Sequence, residues 1–221
     1  MTHAMFARDT GPVLISILVS VLLFASLSSA EMYVAGMAGY TAPNDLTNVE
    51  LNGIASGITL SDLAMQSSVA YGGKIGYFFP QLDWLGIETE AYNTMPHVKQ
   101  QSVTASGFGI SVPFGTQPGF NMRVLTWGLN AIVRYPGKTF QPYVGAGLGV
   151  FFAEAKFQGQ SESDTAPGLN ALAGIRCFVT DRVALFAEYK YNRATFSFPT
   201  MFGFDADYSV NHFMGGVSFH F

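Results

Sequence analysis

The sequence predicts an all-β protein, an eight-stranded antiparallel up-and-down transmembrane β-barrel. Three observations carry this prediction. Apolar and polar residues alternate over long runs, short turns alternate with long polar stretches, and charge is scarce in the chain that follows an apolar leader. Charged residues make up 12% of the 221, where about 25% is usual, while Gly reaches 24 residues and aromatics 14%.

The leader comes first. The apolar run 13–25 follows Arg8 and precedes Ser26-Leu27-Ser28-Ser29-Ala30, small residues of the kind a signal peptidase reads. It is shorter than the roughly 20 residues of a spanning helix, so 1–30 reads as a cleaved secretory signal and 31–221 as one barrel domain. No Cys follows the cleavage site to carry a lipid, and Cys177, the single cysteine, sits in an apolar alternating run and reads as a small wall residue.

Eight strands then follow, at 32–40, 68–79, 84–95, 121–135, 140–156, 168–179, 183–196 and 207–221. Most exceed the mean soluble strand of about 5–6 residues and suit an oblique bilayer crossing of about 9–11. The first is the closing partner for the last. In the second, Lys74 shares a face with Gly72 and Gly76. In the third, Glu88 and Glu90 lie with Gly86 and Tyr92, opposite Leu85, Ile87 and Ala91. The fourth places Asn130 and Arg134 with Gly128, against Leu129, Ala131, Val133 and Tyr135. The fifth sets Gly145, Gly147 and Gly149 against Val144, Ala146, Leu148 and Val150. The sixth places Asn170, Gly174 and Arg176 opposite Leu169, Ala171, Ala173 and Ile175. In the seventh, Glu188 and Lys190 oppose Leu185, Ala187, Tyr189 and Tyr191. The last alternates Phe213, Val217, Phe219 and Phe221 with His212, Ser218 and His220.

Short turns at 80–83, 136–139 and 180–182 separate hairpins whose other ends are the long stretches 41–67, 97–119, 157–166 and 197–206. Such asymmetry fits short turns toward the periplasm and long loops outside. Within the first long stretch, 60–65 reads as a short helix capped by Ser61. A soluble barrel gives the same alternation with inside and outside exchanged. The leader, the charge depletion, the loop asymmetry and aromatics near strand ends (Trp84, Tyr135, Phe140, Tyr189, Tyr191) favour the membrane.

The segments Pro142-Tyr143-Val144-Gly145-Ala146-Gly147-Leu148-Gly149-Val150 and Leu185-Phe186-Ala187-Glu188-Tyr189-Lys190-Tyr191 carry a likeness. The chain resembles the small outer-membrane β-barrel proteins of Gram-negative bacteria, the group that includes the OmpA-type transmembrane domain and OmpW-like proteins. The likeness covers nearly all of 31–221, identifies architecture and says little of function. It implies location in the outer membrane, contact with its lipid, and insertion by the barrel-assembly machinery. Residues 214–221 look like the signal that machinery reads, with Gly216, Phe219 and Phe221 in matching places, while Met214 departs from the usual polar residue.

With the polar parity inward, Glu88, Glu90 and Glu188 share a narrow lumen with Lys74, Arg134, Arg176 and Lys190, expected as a structural ion-pair core. The alternative is a selectivity network in a narrow channel for small, even apolar, solutes. An enzyme is not expected. No His is followed two residues later by Ser, as in the barrel deacylases this fold resembles, and Ser218 and His220 share a face at the periplasmic end. No metal-ligand spacing and no cofactor motif appear. The net charge of −4, without a Lys/Arg cluster, excludes nucleic acid. The long loops name no extracellular ligand, and a monomer is expected. In the second loop Phe108, Ile110, Val112 and Phe114 are apolar enough to extend the wall or to meet a greasy ligand.

Overall fold

A computed structural model describes residues 31–51, 58–157, 160–198 and 204–221. The leader expected at 1–30 lies outside the described residues. In chain order the strands are β1 (Glu31–Pro43), β2 (Thr47–Leu51), β3 (Thr59–Leu60), β4 (Met65–Gln66), β5 (Ser68–Phe79), β6 (Leu82–Thr94) and β7 (His97–Val98). They continue as β8 (Gln101–Gly107), β9 (Ile110–Gln117), β10 (Phe120–Arg134), β11 (Phe140–Phe157), β12 (Gln160–Phe178), β13 (Val183–Phe198) and β14 (Phe204–His220).

Eight of these close a ring in the order β1-β5-β6-β10-β11-β12-β13-β14, all pairs antiparallel. Closure comes from β14 on β1, in register from Tyr33↔His220 to Pro43↔Val210. The last ladder strand stops at His220, and Phe221 adds one more bond by donating its N–H to the Met32 carbonyl at 2.9 Å. A closed ring leaves no free edge in the bilayer, where unpaired backbone groups are costly.

Above the ring most of the described residues of the long connections form strands rather than irregular loops. β2 continues the sheet beside the top of β14, β3 pairs with β2, and the β8–β9 hairpin pairs with β3. β4 and β7 pair with each other, and β7 extends β10. The helix expected at 60–65 is absent. Leu60 ends β3, Leu63 bridges Leu46 and Met65 opens β4. Leu63 and Met65 are both needed in the core, a spacing of two that a strand satisfies and a helix does not.

Burial alternates residue by residue along β10 and β13. The chemistry of the two faces inverts partway up. On the lower part of β14, Phe213, Val217 and Phe219 are exposed while His212, Ser218 and His220 are buried. On its upper part Phe204, Ala206, Tyr208 and Val210 are buried, and Asp205, Asp207 and Ser209 face outward. The same inversion falls between Leu125 and Arg123 on β10 and between Tyr191 and Arg193 on β13. Below it the wall faces an apolar medium, and above it water. From Leu125 of β10 to Tyr135, the residue just after it, the outward column spans about 25 Å at ~3.3 Å per residue and a tilt of about 40°, the height of an apolar membrane band.

Candidate functional site

The lumen is filled in layers. Nearest the short turns, Arg134 donates from Nη1 to Glu31 Oε1 at 2.7 Å and to Gln141 Oε1 at 3.1 Å, and from Nε to the Asp83 carbonyl at 2.8 Å. His220 Nδ1 meets Glu31 Oε1 at 2.8 Å, and its Nε2 meets Ser218 Oγ at 2.9 Å. A pocket of about 830 Å3 opens at this mouth, lined in part by Glu31, Arg134, Gln141, Phe178 and His220.

Serine, histidine and carboxylate thus stand in the order of a hydrolytic triad. Ser218, however, is fully buried and does not line the pocket, so a substrate entering there meets His220 and Glu31 first. The set works as a latch: Glu31 of β1 holds His220 of β14 across the closing seam. Sequence reasoning missed Glu31, which is 189 residues away and is brought there only by the Tyr33↔His220 register.

Deeper in lies an aromatic cage. Arg176 stacks over the Tyr33 ring at 4.2 Å, with the Tyr143 ring at 5.3 Å and the Phe78 ring at 5.9 Å. Expected in the ion-pair core, Arg176 has no carboxylate within ion-pair distance among the described residues, and its Nε finds no acceptor. The reason lies in depth: Arg176 pairs with Phe186, closer to the short turns than Glu188. Aromatic faces compensate its desolvation instead. Two of those rings lie over glycines. A Cβ at Gly76 would overlap the Tyr33 ring and one at Gly174 the Tyr143 ring, so the small residues of β5 and β12 make the cage possible.

The ion-pair layer comes next. Lys74 Nζ lies 2.7 Å from Glu188 Oε2 and 3.1 Å from Glu88 Oε2. Lys190 Nζ lies 2.8 Å from Glu188 Oε1 and also pairs with Glu90. All five side chains have 0% exposure. Tyr33 donates its hydroxyl to Glu88, and Tyr143 donates to Glu188 Oε2 at 2.9 Å. Asn130 and Asn170 donate to Glu90 Oε1 at 3.0 and 2.8 Å. Asn192 donates to Asn170 at 3.1 Å and accepts from Tyr92 at 2.7 Å. Among the expected lumen charges, Lys74, Glu88, Glu90, Glu188 and Lys190 are brought together here. Arg134 belongs to the mouth and Arg176 to the cage.

The outer part of the lumen is apolar. Phe151, Phe196, Phe198, Tyr208, Val124 and Met122 pack with Leu46, Val49, Leu63, Met65, Val98 and Val103 of the long connections in one apolar cluster. On the outside of this extension, Asp207 accepts from Thr195 Oγ1 at 2.7 Å, Asn48 Nδ2 at 2.9 Å and Arg193 Nη2 at 3.1 Å. Those bonds, Thr195 first and then Asn48, hold its carboxyl below the usual aspartate range.

Of the residues in the expected assembly signal, Phe219 and Phe221 are outward and in edge contact at 5.0 Å. Gly216 sits where a Cβ would overlap the Gly36 carbonyl and the Phe186 ring.

No curated protein sequence matches the chain. Its fold is shared with solved structures. Neisserial surface protein A (NspA) is 18% identical, with a TM-score of 0.58 over 88% of this chain and 100% of that one. The outer membrane protein OprG from Pseudomonas aeruginosa is 16% identical, with a TM-score of 0.53 over 87% of this chain and 96% of that one. Eight ring strands, an apolar outer band and a polar lumen agree with the match of residues 13–221 to the model for the outer membrane protein beta-barrel domain, which settles the family: the chain is an outer-membrane β-barrel protein and belongs to it.

Proposed function

We propose that this barrel is a non-conducting scaffold that presents its extracellular sheet to the surroundings of the cell. The observation that carries the reading is the ion-pair layer, five charged side chains with no exposure spanning the lumen beneath a packed apolar core. An ion crossing here has to break buried pairs, each backed by further hydrogen bonds. The β8–β9 hairpin supports the presenting role. Its turn holds Phe108 at φ 52 and Gly109 at φ 79, and Phe108 is 88% exposed. A bulky residue held in the left-handed region and offered to solvent is the kind of strain that function maintains.

The chain acts as a monomer in this reading, freed of its leader near Ala30, surrounded by outer-membrane lipid and inserted by the barrel-assembly machinery through its C-terminal strand. The reading assigns it no catalysis, and Ser218, which bonds His220, is buried. Planar-bilayer recording of refolded protein tests the closed lumen. Silence at physiological salt is expected, and steady ion conductance from the monomer overturns the proposal in favour of a narrow channel.

A further inference from the structure

The β8–β9 hairpin has the chemistry of a segment that enters an apolar phase. Between Lys99 and Arg123 the chain carries no charged side chain. Gly107 pairs with Ile110 across a two-residue turn of Phe108 and Gly109, both at positive φ as a type I′ turn requires. Such a turn favours Asn-Gly, so Phe108 stands where the backbone alone would select a small polar residue. Phe108 is exposed, and so are Ile110 and Val112 after it.

The polar groups of the hairpin are paired with one another or turned aside. On one face Ser106 Oγ meets Ser111 Oγ at 2.8 Å and Ser102 Oγ meets Thr116 Oγ1 at 3.4 Å. The other face carries Val103 and Ala105, both buried, and Val112 opposite Ala105. The free edge of β9 is blunted as well. Thr104 accepts from Ser61 N–H through its carbonyl at 2.8 Å and donates its own N–H to Ser61 Oγ at 3.2 Å, so its partner Pro113 turns its backbone away from β8. There proline presents no N–H for an apolar phase to leave unpaired.

The tip is out of reach of the membrane that holds the barrel. Pairing carries Ser106 across Thr59 and Glu50 to Asp205 of β14. Phe213 is the last exposed apolar residue on the outward face of β14 below that point. Counting from Phe213 up to Asp205, and from Ser106 on to Phe108, places the tip on the order of 20 Å beyond the apolar band at ~3.3 Å per residue and a tilt of about 40°. An apolar tip at that height meets what lies opposite the cell.

We propose that this hairpin inserts Phe108 and Ile110 into the neutral phospholipid surface of an apposed membrane. A segment without charge gains nothing from an anionic surface or a charged protein patch. No charge has to be desolvated as it enters the headgroup boundary, where aromatic rings concentrate. Two apolar side chains hold weakly, and many barrels on one cell act together. This role rests on the outward presentation of the extracellular sheet and not on the sealed lumen, so its failure leaves the conductance test untouched.

The test is flotation of the full barrel, held in lipid nanodiscs, with added phosphatidylcholine vesicles and with vesicles that also contain phosphatidylglycerol. Wild type is expected to float with both alike, at low and at high salt, and empty nanodiscs with neither. Phe108→Asn supplies the Asn-Gly that the turn favours and so keeps the hairpin. It should lower vesicle binding at least about tenfold, the scale of burying one phenyl ring. In Phe108→Trp the new indole should be quenched by brominated lipid confined to the added vesicles, since Trp84 and Trp127 stay in the nanodisc. Heat-dependent gel migration verifies the barrel in each variant. Binding that requires phosphatidylglycerol and fades with salt, or an unchanged Phe108→Asn variant, overturns the proposal. Wild type that ignores vesicles yet adheres to cells through sites a protease removes also overturns it, by making the occupant a protein. Failure of vesicle binding while protease still cuts the hairpin on intact cells overturns insertion and leaves presentation standing.

Discussion

Lys190 and Glu90 form an ion pair across the full width of the barrel, since β13 and β6 lie four strands apart around the ring in either direction. Neither side chain is exposed. A cross-lumen pair of this kind ties opposite walls together as the ladder alone does not. The cost of burying both charges is offset only because Glu188, Asn130 and Asn170 complete their coordination.

Breaking that pair should be severe and removing it mild. Lys190→Leu leaves Glu90 buried without its cation and should cost about 3–5 kcal/mol, whereas Lys190→Met combined with Glu90→Leu should cost much less. Urea unfolding of the three proteins in detergent, followed by tryptophan fluorescence, measures both. A double variant that loses as much as Lys190→Leu would show that the two residues do not compensate each other.

Arg176 gives the contrasting case. Its replacement by Leu removes a stacked cation but breaks no pair and relieves a desolvation penalty, so the loss should stay below about 2 kcal/mol. The same urea titration applies. A loss equal to that of Lys190→Leu would mean that Arg176 neutralises a carboxylate directly.

The extracellular extension should melt before the ring. It is held by short ladders and one apolar cluster, and Val103 is central to that cluster at 2% exposure. Val103→Asp should open the β8–β9 hairpin to protease at low enzyme concentration while the heat-dependent gel shift of the ring persists. Loss of the gel shift as well would mean that ring and extension unfold as one unit.

Acid should loosen the same region through Asp207. Its folded carboxyl titrates below the ordinary aspartate value because Thr195, Asn48 and Arg193 donate to the charged form. Stability from this group is therefore fully present above the unfolded value of about 3.9 and is lost as pH falls through the lower folded value. Asp207→Asn should remove that part of the acid sensitivity. Hydrogen exchange at β2 amides from about pH 5 down to about pH 2 reads it, and identical profiles for variant and wild type would reject the linkage.

Much of the ring was legible because a strand period of two is written directly in the residues, and Lys74, Glu88, Glu90, Glu188 and Lys190 fall on one parity. The depth of each residue was not legible, because parity fixes the face and says nothing of the register between hairpins. Arg176 was for that reason grouped with carboxylates it does not reach. The inversion above the membrane was written in the sequence too, in Phe204, Ala206, Tyr208 and Val210 against Asp205, Asp207 and Ser209. It went unread because Phe204, Asp205 and Ala206 fall in a stretch taken for a loop, and the alternation of the last strand was read only from His212 onward. The pairing of β2, β3 and β8 joins segments distant in the chain, and short strands carry no periodic signal of their own.

Phe221 closes the chain and separates assembly from stability. Its ring is outward at the rim of the short-turn end, 36% exposed and in edge contact with Phe219, and its backbone contributes one hydrogen bond to Met32. Deleting it removes one partly exposed side chain and that bond, a loss on the order of 1–3 kcal/mol that still leaves the β1–β14 ladder intact. The resemblance of residues 214–221 to an assembly signal predicts, by contrast, that Phe221 matters while the last strand is being recognised, before any ladder exists. The variant lacking Phe221 should accumulate poorly in the outer membrane of cells, with periplasmic aggregation or degradation, yet keep most of its urea resistance when refolded into detergent. Normal cellular levels would remove Phe221 from the assembly signal. A collapse of the refolded protein would show instead that the seam depends on its last residue.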